Sequence, residues 1–253
     1  MLETLARRGE ELTLIQLWLA TLGAGEREML QDDAGELCAV VLSGSVDVTV
    51  DGASLGTAAR AGDVFDGAGD AVYAPAGSRL ELIAGSDAAV AVAAAPVEGP
   101  SGPARLIRPA DQSVRSSGVG NWSRSIRTIL GPHDAAGRLV VGETISPSGN
   151  WSSYPPHKHD RQAPPDEVAQ EEVYVYRFNP EGGFGVQLRY DDATESARIV
   201  HDGDVVAIPA GYHPVVAAPG YELYYLWVIA GESRELVPFF DPQHAWVQSA
   251  SPS

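Results

Sequence analysis

Short apolar runs recur along the chain at near-even spacing, each closed by Gly, Pro, Asp or Ser. They cover Leu37 to Leu42, Val46 to Val50, Ala71 to Ala74, Leu80 to Ala84, Leu139 to Ile145, Val173 to Phe178, Val186 to Tyr190, Asp204 to Ile208 and Leu223 to Ile229. Runs this short, bounded by turn residues and rich in β-formers, predict strands. Their regular spacing predicts an antiparallel sandwich or barrel, not βαβ units, and no segment carries the pattern of a long helix. The apolar stretch Ala88 to Val97 is about half the ~20 residues of a membrane span and reads as a buried strand.

Two segments repeat one another. Gly62-Asp63-Val64-Phe65 is followed by Val72-Tyr73-Ala74-Pro75-Ala76-Gly77, and Gly203-Asp204-Val205-Val206 by Ala207-Ile208-Pro209-Ala210-Gly211. A repeated G-D, strand, P-A-G order predicts two copies of one unit. The Gly- and Pro-rich segment Gly99 to Asp111 is the natural hinge, which divides the chain into residues 1–110 and 111–253.

Composition narrows the function. A formal net charge of −17 disfavours nucleic acid and anionic membrane surfaces as partners. Cys38 is the single cysteine, so no intramolecular disulfide forms, and the N-terminal residues lack the order of a signal peptide. A soluble, cytoplasmic protein is expected.

The chemistry concentrates in Pro155-Pro156-His157-Lys158-His159-Asp160. In a strand, residues two apart face one side, so His157 and His159 can reach one metal ion while Lys158, the only lysine, points away. Glu171-Glu172 and then His213, after Ile208-Pro209-Ala210-Gly211-Tyr212, offer further ligands. Such a mixed nitrogen and oxygen set suits Zn, Mn, Fe or Ni. Glu172 is preferred because it shares a strand face with Tyr174 and Tyr176, and Glu171 is the alternative. His133, His201 and His244 read as surface residues. Tyr154, Tyr174, Tyr176 and Tyr212 are candidate proton carriers or hydroxyl binders, and Trp151 a structural anchor. Ser152-Ser153 lacks the context of a nucleophile.

These motifs resemble those of cupins, small jelly-roll barrels that hold a metal through two His, a Glu and a later His; the whole resembles a bicupin, an all-β pair of such barrels. The resemblance implies His157, His159, Glu172 and His213 as metal ligands. Two departures stand out: twelve residues separate His159 from Glu172, and a single residue separates Gly211 from His213. The first half resembles a cupin that has lost its site. Leu37 falls where the Glu belongs, Ser78 and Arg79 where the last His belongs, and no His precedes His133.

The string Trp151-Ser152-Ser153-Tyr154-Pro155-Pro156-His157-Lys158-His159-Asp160, with Glu171-Glu172-Val173-Tyr174, Gly211-Tyr212-His213-Pro214 and Gly220-Tyr221-Glu222-Leu223-Tyr224-Tyr225-Leu226, is similar to the 5-deoxy-glucuronate isomerase family of myo-inositol catabolism. The resemblance implies isomerisation of 5-deoxy-D-glucuronate to 5-dehydro-2-deoxy-D-gluconate, with a divalent metal, Zn or Mn, polarising the carbonyl. A sugar-acid substrate wants an Arg for its carboxylate. Arg189 beside Gln187 is the candidate, with Tyr212 nearby and Arg177 as competitor. Alternatives are a 5-keto-4-deoxyuronate isomerase, an oxygen-dependent dioxygenase and a non-catalytic sugar-binding bicupin. Exposed strand edges make a homodimer reasonable.

Overall fold

The computed structural model describes residues 1–99 and 101–249 and is almost wholly antiparallel β; Pro100 of the expected hinge lies outside the described residues. Strands from Leu2–Ala6 to Arg105–Ile107 form one nine-stranded sheet that curls on itself. After a 3-10 turn at Pro109–Asp111, a six-stranded sheet runs in the order Ser113–Ser117, Arg124–Leu130, Val140–Ser146, Glu222–Gly231, Gln170–Asn179, Val205–Ile208. A four-stranded sheet of Trp151–Ser152, Val215–Ala217, Phe184–Tyr190 and Glu195–His201 closes over it. His157–Lys158 pairs separately with Phe239–Phe240. The helical segments among the described residues are short 3-10 turns, and none is long and apolar enough to cross a membrane.

The clearest apolar runs belong to strands buried on both faces. In Gly35–Val50, Leu37, Ala39 and Val41 face the core of the first barrel, while Cys38, Val40 and Leu42 face the second half. In Gln170–Asn179, Tyr174, Tyr176 and Phe178 fill the second barrel, and Val173 and Val175 meet the first half. A central core shared by both halves therefore joins Leu17, Val40 and Ala93 to Val141, Val173 and Val228. Each fully buried Leu or Val of this core contributes about 1.5–3 kcal/mol relative to exposure.

The two expected strands Leu37 to Leu42 and Val46 to Val50 are one, Gly35–Val50, sixteen residues long. Its ladder shifts register between Val41 and Ser43, and it bends at Gly44, where φ is +74°. A Cβ there would lie 2.1 Å from the Asp87 carbonyl oxygen, so only glycine fits. Polar locks reinforce the shared core. The buried Arg60 guanidinium pairs with Glu143 at 2.6 Å. Glu36 accepts N–H bonds from Gly137, Arg138 and Leu139 at 2.6–2.7 Å, and also the Tyr73 hydroxyl at 2.6 Å.

Candidate metal centre

Three imidazoles converge at one end of the second barrel. His157 is set in register opposite Phe240, and His159 follows two residues on. His213 arrives on the turn after Val205–Ile208, its ring centroid 4.9 Å from that of His157 and 5.1 Å from that of His159. One ring nitrogen of each lies within 4.8 Å of the others. Glu172 joins them from the central strand, its Oε2 3.2 Å from His159 Nε2 and 3.3 Å from His213 Nε2.

Hydrogen bonding behind the rings sets their chemistry. His159 Nδ1 lies 2.9 Å from the Gln170 carbonyl, and His213 Nδ1 2.8 Å from that of Gly211. A carbonyl only accepts, so each Nδ1 carries hydrogen and donates, which leaves each Nε2 as a lone pair when the ring is neutral. Those lone pairs face the Glu172 carboxylate, another acceptor, so a positive centre has to sit among them. His213 Nε2 and His157 Nδ1 are, besides, buried without an aligned hydrogen-bond partner. Convergent acceptors, orphaned ring nitrogens and carbonyl-anchored imidazoles fit a divalent cation.

In the metal-free protein the same crowding shifts the titrations. Burial, then the neighbouring His213 and His159, push His157 well below its usual value. Burial works against ionisation of Glu172, but His159 and His213 overcome it and lower its carboxyl to about 2. Burial would lower His159 as well, yet the Glu172 carboxylate and the Gln170 carbonyl leave it raised.

Strand alternation separates the two candidate glutamates. Glu171 points to the opposite side, where its carboxylate accepts the N–H groups of Thr13, Leu14 and Ile15 at 2.7–2.8 Å and the Thr13 hydroxyl at 2.8 Å. It ties the halves together. Lys158 also turns away, pairing with Asp160 at 2.5 Å and Glu167 at 3.5 Å.

A cavity of about 340 Å³ opens beside the cluster, with His157, His159 and Glu172 on its wall. Tyr174 also lines it, its hydroxyl 2.9 Å from Ser153 Oγ, and burial pushes the phenol well above its usual pKa, so it stays protonated. Tyr225 and Trp227 are lining residues that sequence reasoning left unassigned. The phase of the run Leu223 to Ile229 was the available signal, since Tyr225 stands opposite Tyr176 in the ladder.

The other expected residues lie elsewhere. Tyr176 is behind the lining and donates to Gln187 Oε1. Gln187, expected at the substrate, is buried, and its amide donates to the carbonyls of Leu188, His213 and Pro214 at 2.7–3.1 Å, bracing the chain that carries His213. Arg189 shares its strand face, but by that point the strand has left the barrel interior; Arg189 is exposed and donates to the Ala207 carbonyl at 3.3 Å. Tyr212 stacks on Tyr190 at 5.1 Å, and Tyr154 packs on Trp151 at 5.7 Å, both outside the cavity wall. His133, His201 and His244 are not part of the histidine cluster.

Comparison with known proteins places this site in a lineage. The profile of the KduI/IolB family matches residues 3–247. The chain belongs to the KduI/IolB family. Among KduI/IolB relatives, the 5-deoxy-glucuronate isomerase of Geobacillus kaustophilus (strain HTA426) is 40% identical over 245 residues, covering 96% of this chain and 88% of that protein. The crystal structure of an IolB-like protein from Salmonella typhimurium LT2 superposes with a TM-score of 0.91 at 33% identity, covering 97% of this chain and 94% of that one. Bacillus subtilis oxalate decarboxylase shares only the cupin fold, with a TM-score of 0.63 at 14% identity over 88% of this chain and 70% of its own. This KduI/IolB chain is thus an all-β tandem cupin, and its histidine cluster points to a metal site.

Proposed function

We propose that the chain is a metal-dependent aldose–ketose isomerase that converts 5-deoxy-D-glucuronate to 5-dehydro-2-deoxy-D-gluconate in the cytoplasm. The observation that carries this reading is the cluster of three histidines and one glutamate opening onto a phenol-lined cavity in a KduI/IolB chain. His157, His159, Glu172 and His213 would hold a divalent ion, Zn or Mn. When bound, such an ion acts as a Lewis acid that polarises a carbonyl and stabilises developing oxyanion charge.

The conversion moves one hydrogen from C2 to C1 and a proton from O2 to O1, so electrons balance without an external redox partner. Tyr174, held protonated by burial and backed by Ser153, is placed to donate a hydrogen bond to a sugar oxygen and to deliver a proton there. Tyr225, its ring 4.5 Å from Tyr174 and its hydroxyl 2.6 Å from Ser152 Oγ, holds that phenol in position. Gln187 fixes the turn that presents His213. Residues 111–253 then form the catalytic barrel and residues 1–110 a scaffold without ligands. The change of sheet between Arg105–Ile107 and Ser113–Ser117 supports that boundary.

An NMR time course with 5-deoxy-D-glucuronate in D₂O, on metal-quantified protein before and after chelation, tests the reading. Chelator-sensitive replacement of the aldehyde signal by the 2-keto product is expected. Absence of conversion at full metal occupancy would refute it.

A further inference from the structure

The cavity has a second pole of charge. Arg115 and Ser117 lie on Ser113–Ser117, opposite Ile126 and Arg124 of the next strand. Alternation puts these four side chains on one face, and all four line the cavity. The ladder carries that face onward from Ile126 to Thr144 and from Thr144 to Tyr225, so two guanidiniums and the histidine–glutamate cluster share one continuous wall. Leu236, Val237, Pro238 and Phe240 add apolar surface to the lining.

The charge state of this pole is unusual for the molecule. The sequence has 34 acidic residues against 17 Lys and Arg, so acidic partners abound. Arg60 and Arg8, both largely withdrawn from solvent, take carboxylates at 2.6 and 2.5 Å. Among the described residues, neither Arg124 nor Arg115 has a carboxylate within ion-pair distance. Among the described residues, the one hydrogen bond of the Arg124 guanidinium to protein goes to the Trp122 carbonyl at 3.1 Å. Burial pushes Arg124 below its usual pKa, and the positive charge of Arg115 adds to that. A half-desolvated guanidinium with free N–H donors, beside a second one, is stabilised by an anion placed between them.

We propose that Arg124, with Arg115 at the more exposed position, receives the carboxylate of a sugar acid whose other end lies at the histidine–glutamate cluster. The site thereby selects aldoses that end in a carboxylate over neutral ones. This deepens the isomerase reading and rests on it for the substrate's identity, though not for the preference itself. Arg supplies two parallel donors to a carboxylate, which also fixes which end of the sugar enters first.

Two readouts separate this assignment from the activity. In tryptophan-fluorescence titrations at neutral pH, D-glucuronate is expected to bind the metal-loaded protein more tightly than D-glucose. Arg124→Ala should abolish that difference while metal content stays at the wild-type level. In turnover of 5-deoxy-D-glucuronate, Arg124→Ala should raise KM by about tenfold or more, added guanidinium should lower it again, and Arg124→Lys should be intermediate. Arg115→Gln should raise KM by a smaller factor. Equal affinity of the wild type for glucuronate and glucose, or an Arg124→Ala protein with unchanged preference and KM, overturns the proposal. A wild type that prefers glucuronate through Arg124 yet turns nothing over would uphold the carboxylate site and remove the isomerase.

Discussion

The two barrels place the same backbone positions to different use. Leu37 stands opposite Ala74 and Ala94 in its sheet, as Glu172 stands opposite Ile208 and Ile229. One residue earlier, Glu36 and Glu171 are equivalent, and their roles match. Glu36 accepts the N–H groups of Gly137, Arg138 and Leu139; Glu171 accepts those of Thr13, Leu14 and Ile15. The outward position thus keeps a carboxylate in both halves, because each one caps backbone donors that the interface would otherwise strand. The inward position keeps one only where histidines surround it. Elsewhere a buried carboxylate costs several kcal/mol, and a leucine that packs does better.

Copying the empty barrel into the occupied one gives the largest effect. Glu172→Leu should lose metal and lower kcat by about 10³-fold, and its metal-free form should unfold earlier than the metal-free wild type wherever His159 is charged and left without its partner. Metal analysis, turnover and thermal unfolding check this, and a fully active Glu172→Leu protein would break the comparison. The reverse change, Leu37→Glu, buries a carboxylate with no histidine beside it and should cost about 3–5 kcal/mol in chemical denaturation without creating a metal site. Glu36→Gln removes the charge from the interface cap and should cost about 1.5–3 kcal/mol. Glu171→Gln should cost a similar amount; a large disparity in denaturation midpoints would show that the caps are not equivalent.

The smallest effect is a pH dependence confined to the second barrel. The lowered Glu172 stabilises the metal-free fold above its ordinary 4.5, and that contribution disappears as pH falls through about 2. The raised His159 stabilises it below its ordinary 6.5, and that contribution disappears as pH rises through the folded value. The pair is therefore most stabilising between about pH 4.5 and 6.5. The lowered His157 works the other way, costing stability below its ordinary 6.5 in both proteins, so the pair shows as the difference between them: thermal unfolding of the metal-free proteins across pH should place the wild type's largest gain over Glu172→Leu in that window.

Strands were legible where both faces are buried, since Leu37 to Leu42 within Gly35–Val50, Ala88–Pro96 and Leu223 to Ile229 within Glu222–Gly231 are apolar runs. Ser113–Ser117 and Glu195–His201 escaped notice because most of their residues are exposed. The same holds for the site. Because the sequence does not mark Ser113–Ser117 and Arg124–Leu130 as strands, it gives Arg115 and Arg124 no face to share, whereas Arg189 sits on a strand that it does mark.

Sequence by itself determined the family, the all-β architecture and the local pairing of His157 with His159, because these rest on turn residues, periodicity and i, i+2 spacing. It determined too that Leu37 falls where Glu172 does, by counting from Gly44. Tertiary structure decided that Glu172 faces the histidines while Glu171 crosses to the first half, and that Gln187 braces His213. It also decided that the unpaired guanidiniums of the cavity come from the strands after residue 112. Periodicity says which residues share a face; only the packing of one sheet against another says what that face meets.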